Sequence, residues 1–89
     1  MYEQFLQWCY FNRDEVVGIS NNFLKCPVYN FLRSIGINCI GVGSNYYIPD
    51  KAIKFSDERF NILIDLIDES NQRIPLTGQQ VFNLALGIK

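Results

Sequence analysis

The sequence predicts an α+β fold in a single small domain. Two stretches with helical spacing precede a segment rich in β-branched and turn residues, and two more helical stretches follow it. The chain has 89 residues, 48% of them hydrophobic, and it shows no internal repeat, linker or low-complexity tract. This length and composition suit one packed domain over residues 1–89. We therefore expect about four helices, with a short antiparallel hairpin or three-strand meander between the second and third.

The first helix is predicted over residues 2–12, because its apolar side chains recur with the i, i+3, i+4, i+7 spacing of one buried face. After this helix the period is lost, and Val16–Ile19 is predicted as a short strand. Residues 20–22 are predicted as a loop, since Ser and Asn side chains compete for backbone hydrogen bonds. The apolar positions of the first helix are Tyr2, Phe5, Leu6 and Cys9.

A second helix is predicted from Pro27 to about Ile35. Proline suits the first helical position, where an N–H group would have no intrahelical partner. The residue before a proline is pushed out of the helical region, so Cys26 is the predicted N-cap. Gly36 is predicted to follow the helix in the left-handed conformation.

A small β unit is predicted to come next. Residues 37–42 are rich in β-branched side chains, Gly43–Asn45 has turn composition, and Tyr46–Ile48 is a second short strand. A proline and an aspartate then mark a further turn, after which residues 53–55 are predicted as a third strand.

The third helix is predicted to begin after Ser56 as its N-cap, with a hydrophobic staple between Phe55 and Phe60. Its apolar side chains cover an arc of roughly 200°, about twice the width that one-sided packing needs. A neighbouring element or a second copy of the chain is therefore expected to cover the additional side. The apolar positions are Phe60, Ile62, Leu63, Ile64, Leu66 and Ile67.

A fourth helix is predicted after a polar connection at residues 70–75. Thr77 and Gln80 have the T-x-x-Q spacing of a capping box, in which each side chain bonds to the backbone N–H of the other residue. Gly87 is predicted to end this helix. Its apolar stripe comprises Val81, Leu84, Ala85 and Ile88.

Histidine is absent from the sequence. This residue changes charge near neutral pH and is the commonest metal ligand, so its absence excludes Ser–His and Cys–His nucleophile pairs and most zinc sites. Gly41 and Gly43 do not make a dinucleotide-binding loop, because the third glycine and the following helix are missing. We therefore predict that the protein is not an enzyme and uses no cofactor or metal.

Cys26 is the strongest chemical candidate, because a helix N-terminus and the adjacent Lys25 lower the pKa of a thiol toward the reactive thiolate. No base and no second cysteine lies near it in the sequence, so a structural role is the favoured interpretation. Cys9, Cys26 and Cys39 are too widely spaced for a disulfide framework or a metal motif. They are predicted to be reduced and to pack as small hydrophobes.

A DNA-binding alternative is carried by residues 27–48. The run from Val16 to Ile48, with a short element, a loop, a helix and an immediate hairpin, resembles a winged helix-turn-helix domain in the order of its elements only. Arg and Asn side chains can read base edges. Binding to phosphates needs several clustered cations, however, and residues 19–48 contain only Lys25 and Arg33. With a net charge of −1, nucleic acid is not the expected partner. The groove-facing side chains would be Tyr29, Asn30, Arg33 and Ser34, with Ser44 and Asn45 at the wing tip.

Aromatic residues make up 15% of the chain, and several of them lie outside the predicted buried faces. Tyr46 and Tyr47 are adjacent in a strand and point to opposite faces, so at least one is expected to be exposed. Exposed Trp and Tyr are favoured interface anchors, and the third helix adds an acidic strip. The sequence therefore predicts a small non-enzymatic protein-interaction module: an adaptor, inhibitor or accessory subunit. The predicted partner-binding residues are Trp8, Phe11, Tyr46, Tyr47, Asp65, Asp68 and Glu69.

The expected setting is the cytoplasm. The first residues lack the basic and apolar regions of a secretory signal, and no run of about 18 apolar residues predicts a membrane span. The expected partner is another protein of unknown identity, and self-association as a homodimer or larger homo-oligomer is left open beside it.

Overall fold

Four helices and two small antiparallel sheets make up the computed structural model, which describes residues 1–88. The α+β prediction is confirmed, including the three-strand meander between the second and third helices. In chain order the elements are α1 (Tyr2–Phe11), β1 (Val16–Ile19), α2 (Pro27–Ser34), β2 (Gly41–Val42), β3 (Tyr46–Ile48), β4 (Lys51–Ile53), α3 (Arg59–Ile67), β5 (Pro75–Thr77) and α4 (Gly78–Leu86).

α1 and α4 pack closely at the point where α4 begins. A Cβ atom added at Gly78 would overlap the backbone carbonyls of Cys9 and Asn12, so only glycine allows this approach. The backbone N–H of Gly78 donates to the carbonyl of Glu15 at 3.0 Å, and that of Gln79 donates to Arg13 at 3.1 Å. The end of α1 is therefore bonded to the start of α4.

β1 pairs with β5, which is a strand that the sequence analysis missed. Residues 70–75 were predicted as a polar connection, but Pro75 begins a strand that pairs with Ile19. The buried Ser20 extends this pairing, because its hydroxyl donates to the Gln72 carbonyl at 2.6 Å and accepts from the Ile74 N–H at 2.9 Å. No local sequence pattern predicts a three-residue strand that begins with proline. The strand forms because it pairs with β1, which is distant in the sequence.

The meander contains β2, β3 and β4 in that order. The first strand is shorter than predicted, since it begins only at Gly41. Before it, the Ile40 N–H donates to the Tyr47 carbonyl at 2.7 Å, but the Cys39 N–H donates to the Ile37 carbonyl within the same segment. The third strand is Lys51–Ile53 rather than residues 53–55. The reason is the tight turn, which sets Lys51 opposite Ile48 and leaves no room for a longer connection.

The predicted ends of α2 are confirmed. The Sγ atom of Cys26 accepts the backbone N–H of Tyr29 at 3.3 Å, which is the geometry of an N-cap. Gly36 follows the helix with φ of 87°, in the left-handed region.

The start of α3 differs from the prediction. Ser56 is not its N-cap, because the helix begins at Arg59. Glu58 holds the N-cap position without a side-chain capping bond. Asp57, one residue earlier, binds Arg59: its Oδ1 accepts the backbone N–H of Arg59 at 3.0 Å, and its Oδ2 lies 2.6 Å from the Arg59 guanidinium. The ion pair holds the pKa of the Asp57 carboxyl below its usual value. The Phe55 and Phe60 rings stack at 5.1 Å, so the predicted contact forms, but with the helix beginning at Arg59 these residues do not hold the N′ and N4 positions of a hydrophobic staple.

Aromatic rings fill the centre of the core. Phe5 is fully buried, and its ring lies 5.2 Å from Phe31 and 5.6 Å from Phe60, both edge-on. Such edge-to-face pairs stabilise a core beyond the apolar area that they bury. α4 closes the core on one side, and its predicted capping box between Thr77 and Gln80 is confirmed.

Candidate protein-interaction surfaces

Two aromatic side chains are exposed at the end of α1. The Phe11 side chain is 81% exposed and Tyr10 is 48% exposed. The Tyr10 ring lies 5.5 Å from the ring of Phe82 in α4. Together with Leu6 and Gln7, these three rings line an open groove of about 530 Å³ between the helices, which we call the α1–α4 groove. An open groove with this apolar lining is a typical site for a protein contact.

Arg13 contacts one wall of this groove. Its guanidinium carbon lies 4.6 Å from the centre of the Tyr10 ring, and its Nη1 donates to the Tyr10 carbonyl at 3.1 Å. A cation–π contact at an exposed site is worth about 0.5–1 kcal/mol, so this contact favours the observed position of the Tyr10 ring.

Phe82 was missed by the sequence analysis. It lies about 100° around α4 from Val81 and so outside the predicted apolar stripe. The signal that could have found it is the apolar i, i+4 pair of Phe82 and Leu86, which lies on one side of the helix. Leu86 is 58% exposed, so this side of α4 is incompletely covered.

Trp8 contributes to the core as well as to the surface. Its indole is half-buried and lies 6.0 Å from the Phe5 ring and 5.7 Å from the Phe31 ring. Phe11 and Trp8 are thus placed differently, although both lie outside the main stripe of α1. Phe11 is exposed to solvent, and Trp8 packs partly against the core.

Tyr46 and Tyr47 are both half-buried, so the expectation that at least one would be exposed is wrong. The Tyr46 ring lies 5.2 Å from Phe55, and the Tyr47 ring lies 5.5 Å from Phe23. The loop that carries Phe23 covers the outer face of the meander, and the sequence pattern does not indicate this cover. These tyrosines do not line the α1–α4 groove with Phe11.

The acidic residues of α3 and its end divide into two groups. Asp65 and Glu69 are exposed. Asp68 is half-buried, and its Oδ1 accepts the backbone N–H of Asn21 at 2.8 Å. Asn21 has φ of 54°, so Asp68 holds a loop in an unusual conformation. Asp65 and Glu69 remain as the charges that face solvent.

Apolar side chains are exposed beside these acids. Ile62 is 46% exposed, Leu66 is 39% exposed, and Leu84 of α4 is 37% exposed. The wide apolar arc predicted for α3 is thus only partly covered by its neighbours. A second open groove of about 360 Å³ lies between the two helices, which we call the α3–α4 groove. Its lining residues are Leu66, Ile67, Glu69, Ser70, Leu76 and Leu84.

The cysteines are all buried in free form. Burial raises the pKa of the Cys26 thiol to about 11, and this outweighs the lowering effect of the backbone N–H groups of Tyr29 and Val28. Burial also raises the pKa of Cys9 to about 12. A thiol with such a pKa carries little thiolate at neutral pH, which disfavours a reactive role. Within residues 1–88, no cluster of three or more His, Cys, Asp or Glu side chains is arranged to hold a metal ion.

Two of the side chains that the DNA-binding alternative would place in the DNA groove form hydrogen bonds within the chain instead. The Nδ2 of Asn30 donates to the Val17 carbonyl at 2.7 Å, and the Nη1 of Arg33 donates to the Cys39 carbonyl at 3.0 Å. The turn at Ser44 lies against α3, where it accepts a hydrogen bond from Asn61 at 2.7 Å. This turn lies beside the acidic residues of α3, which would repel a phosphate backbone.

Comparison with known proteins finds no matching family model, curated protein or solved structure. No helix within residues 1–88 has both the length and the apolar character needed to cross a bilayer.

Proposed function

We propose that this protein is a non-enzymatic interaction module, an adaptor, inhibitor or accessory subunit, that binds another protein through the α1–α4 groove. The observation that carries the proposal is Phe11, a large aromatic ring that is 81% exposed at the edge of an apolar groove. Burying such a ring in a partner gives roughly 1.5–3 kcal/mol of favourable transfer free energy.

The groove has the composition of a binding hot spot. Aromatic residues and arginine are enriched among the residues that dominate binding energy, and Tyr10, Phe11, Phe82 and Arg13 occur here together. The contact with Arg13 favours the observed position of the Tyr10 ring. We assign Phe11 as the anchor and Tyr10 with Phe82 as the wall against which the partner packs.

Affinity purification with matched variants tests the proposal. Phe11→Ser removes the anchor, and Leu24→Ser is the control because Leu24 is also exposed, at 53%, in a loop between β1 and α2. We expect the tagged protein to co-purify a specific partner from the cells that make it, the Leu24 variant to keep that partner, and the Phe11 variant to lose it. Equal recovery by both variants would place the binding surface elsewhere.

The DNA-binding alternative ranks second. Residues 27–48 keep the order of a helix and a hairpin, but Asn30 and Arg33 are engaged within the chain. An electrophoretic shift series with duplex DNA at low salt tests it directly, and we expect no shift. The cytoplasmic setting and the homo-oligomer stay predictions, and sedimentation velocity over a range of concentrations tests the latter.

A further inference from the structure

We infer that the exposed face of α3 is a second docking surface, and that its occupant is a basic amphipathic helix of a partner protein. This inference rests on the proposed function in one respect, namely that the protein acts by binding other proteins. It concerns a different face of the molecule from the α1–α4 groove, because the two grooves share no lining residue and their α4 residues, Phe82 and Leu84, lie about 160° apart around the helix.

The face combines apolar and acidic side chains at helical spacing. Ile62 and Leu66 are exposed one turn apart, and Glu58, Asp65 and Glu69 are exposed alongside them. On a helical wheel these five positions fall within an arc of about 100°. The apolar stripe continues across the α3–α4 groove to Leu84, which is also exposed.

Charge complementarity selects the occupant. The sequence from Phe60 to Gln72 contains three acidic residues and no Lys or Arg, and α4 carries no charged residue. Lys54 is the one cation that lines the polar pocket at the start of this face, where Glu58 and Asp65 lie with it. The field over the face is therefore negative, and it favours a partner that carries Lys or Arg beside its apolar stripe.

A second copy of the chain is a poor occupant of the same face. A two-fold symmetric contact would set Glu58, Asp65 and Glu69 against the same three acids of the other copy. Like charges held together across an interface oppose association. A partner helix with Lys or Arg beside its apolar stripe would instead place positive charges against these acids, whether it runs parallel or antiparallel to α3.

The dimensions of the face also suit a helix. α3 has nine residues, so its exposed stripe is about 14 Å long, which matches about two and a half turns of a partner helix. Two apolar residues spaced i, i+4 on the partner would then face Ile62 and Leu66. Leu84 forms the far wall of the groove and so limits how the helix lies across it.

Selection from a displayed library of amphipathic helical peptides, about three turns long with random flanking charges, tests the inference. We expect the bound peptides to be enriched in Lys and Arg beside Leu or Ile. Their affinity should fall about fivefold in the double variant Asp65→Asn with Glu69→Gln, and about tenfold or more in Leu66→Ser. Binding should also weaken as salt rises from about 50 mM to about 500 mM.

The control is the double variant Asp14→Asn with Glu15→Gln, which also removes one Asp and one Glu charge, but from exposed positions outside α3. It should leave peptide affinity unchanged within about twofold. The inference is overturned if no peptides are selected, if those selected are neutral or acidic, or if the α3 variants do not weaken them. Peptides lost with Phe11→Ser alone would overturn this inference while supporting the proposed function. Peptides lost with neither set of variants would overturn this inference alone, since the co-purification experiment tests the α1–α4 groove separately.

Discussion

The hydroxyl of Tyr2 donates a hydrogen bond of 2.9 Å to the carbonyl of Ala85, and so joins the first turn of α1 to the last turn of α4. The ring of Tyr2 also packs edge-on against Phe60 at 5.1 Å and lies 4.2 Å below the guanidinium carbon of Arg59. Gly78 makes the corresponding contact at the other end of the two helices. Both walls of the α1–α4 groove are therefore held at both ends by contacts within the chain.

Replacing Tyr2 by Phe should lower the free energy of unfolding by about 1 kcal/mol, because the buried Ala85 carbonyl loses a hydrogen-bond donor. Urea unfolding followed by circular dichroism measures this loss. Tyr10→Phe is the matched control on the same helix, because the Tyr10 side chain is half exposed, and it should change stability by less than about 0.5 kcal/mol. Equal effects of the two variants would contradict the role of the Tyr2 hydroxyl.

Gly78→Ala should destabilise the protein by about 1–3 kcal/mol or prevent folding, since the added methyl group overlaps the backbone of α1. Gly87→Ala is its control: the nearest atom to an added Cβ there lies at 3.5 Å, and φ is −74°. That change should be neutral or stabilise by up to about 1 kcal/mol. Thermal unfolding of both variants checks the pair, and a well-folded Gly78→Ala protein would show that the helices lie farther apart.

Thr77→Ala should cost about 1 kcal/mol, because it removes one half of the capping box of α4. Ser56→Ala should change stability by less than about 0.5 kcal/mol, although the sequence pattern favours Ser56 as the cap of α3. The two variants can be compared by the midpoint of urea unfolding. A larger loss for Ser56→Ala than for Thr77→Ala would contradict the observed start of α3 at Arg59.

Stability should fall at alkaline pH. Burial raises the pKa of Cys26 to about 11 and that of Cys9 to about 12, from an ordinary value of 9.0. Above pH 9.0 the thiols of the unfolded chain ionise while those of the folded chain stay protonated, so ionisation favours unfolding. Each thiol should therefore lower the free energy of unfolding by up to about 1.4 kcal/mol per pH unit in this range.

Cys26→Ser isolates one of these contributions. A serine hydroxyl can still accept the Tyr29 N–H as an N-cap, but it does not titrate in this range. The variant should show a shallower loss of stability above pH 9.0 than the natural chain. An unchanged slope would mean that the Cys26 thiol is not buried as described.

Local signals account for the elements that were predicted correctly. The proline after Cys26 and the spacing of Thr77 and Gln80 each specify a helix start within a few residues, and both are observed. β5 had no such signal, because a short strand that begins with Pro75 is defined by its pairing with β1. Ser20 illustrates the same point, since its bond to the Gln72 carbonyl spans 52 positions in sequence.

The candidate surfaces were also predictable only where local sequence patterns, and not contacts between distant elements, define them. Helical periodicity identified Phe11 as lying outside the buried face of α1, and its exposure agrees with that. Periodicity also grouped Trp8 with Phe11, but it contains no information about which neighbouring rings cover a side chain. Phe82 became part of the groove through its contact with Tyr10, which depends on the packing of α1 against α4.

Site-specific photo-crosslinking at position 11 tests the central claim most directly. Benzoylphenylalanine in place of Phe11 puts a photoreactive ring at the edge of the α1–α4 groove, and the same group in place of Leu24 serves as the reference. The proposal predicts a crosslinked product with one partner protein at position 11 and not at position 24, after irradiation of the cells that make the protein. The same products at both positions, or no product at position 11, would contradict it.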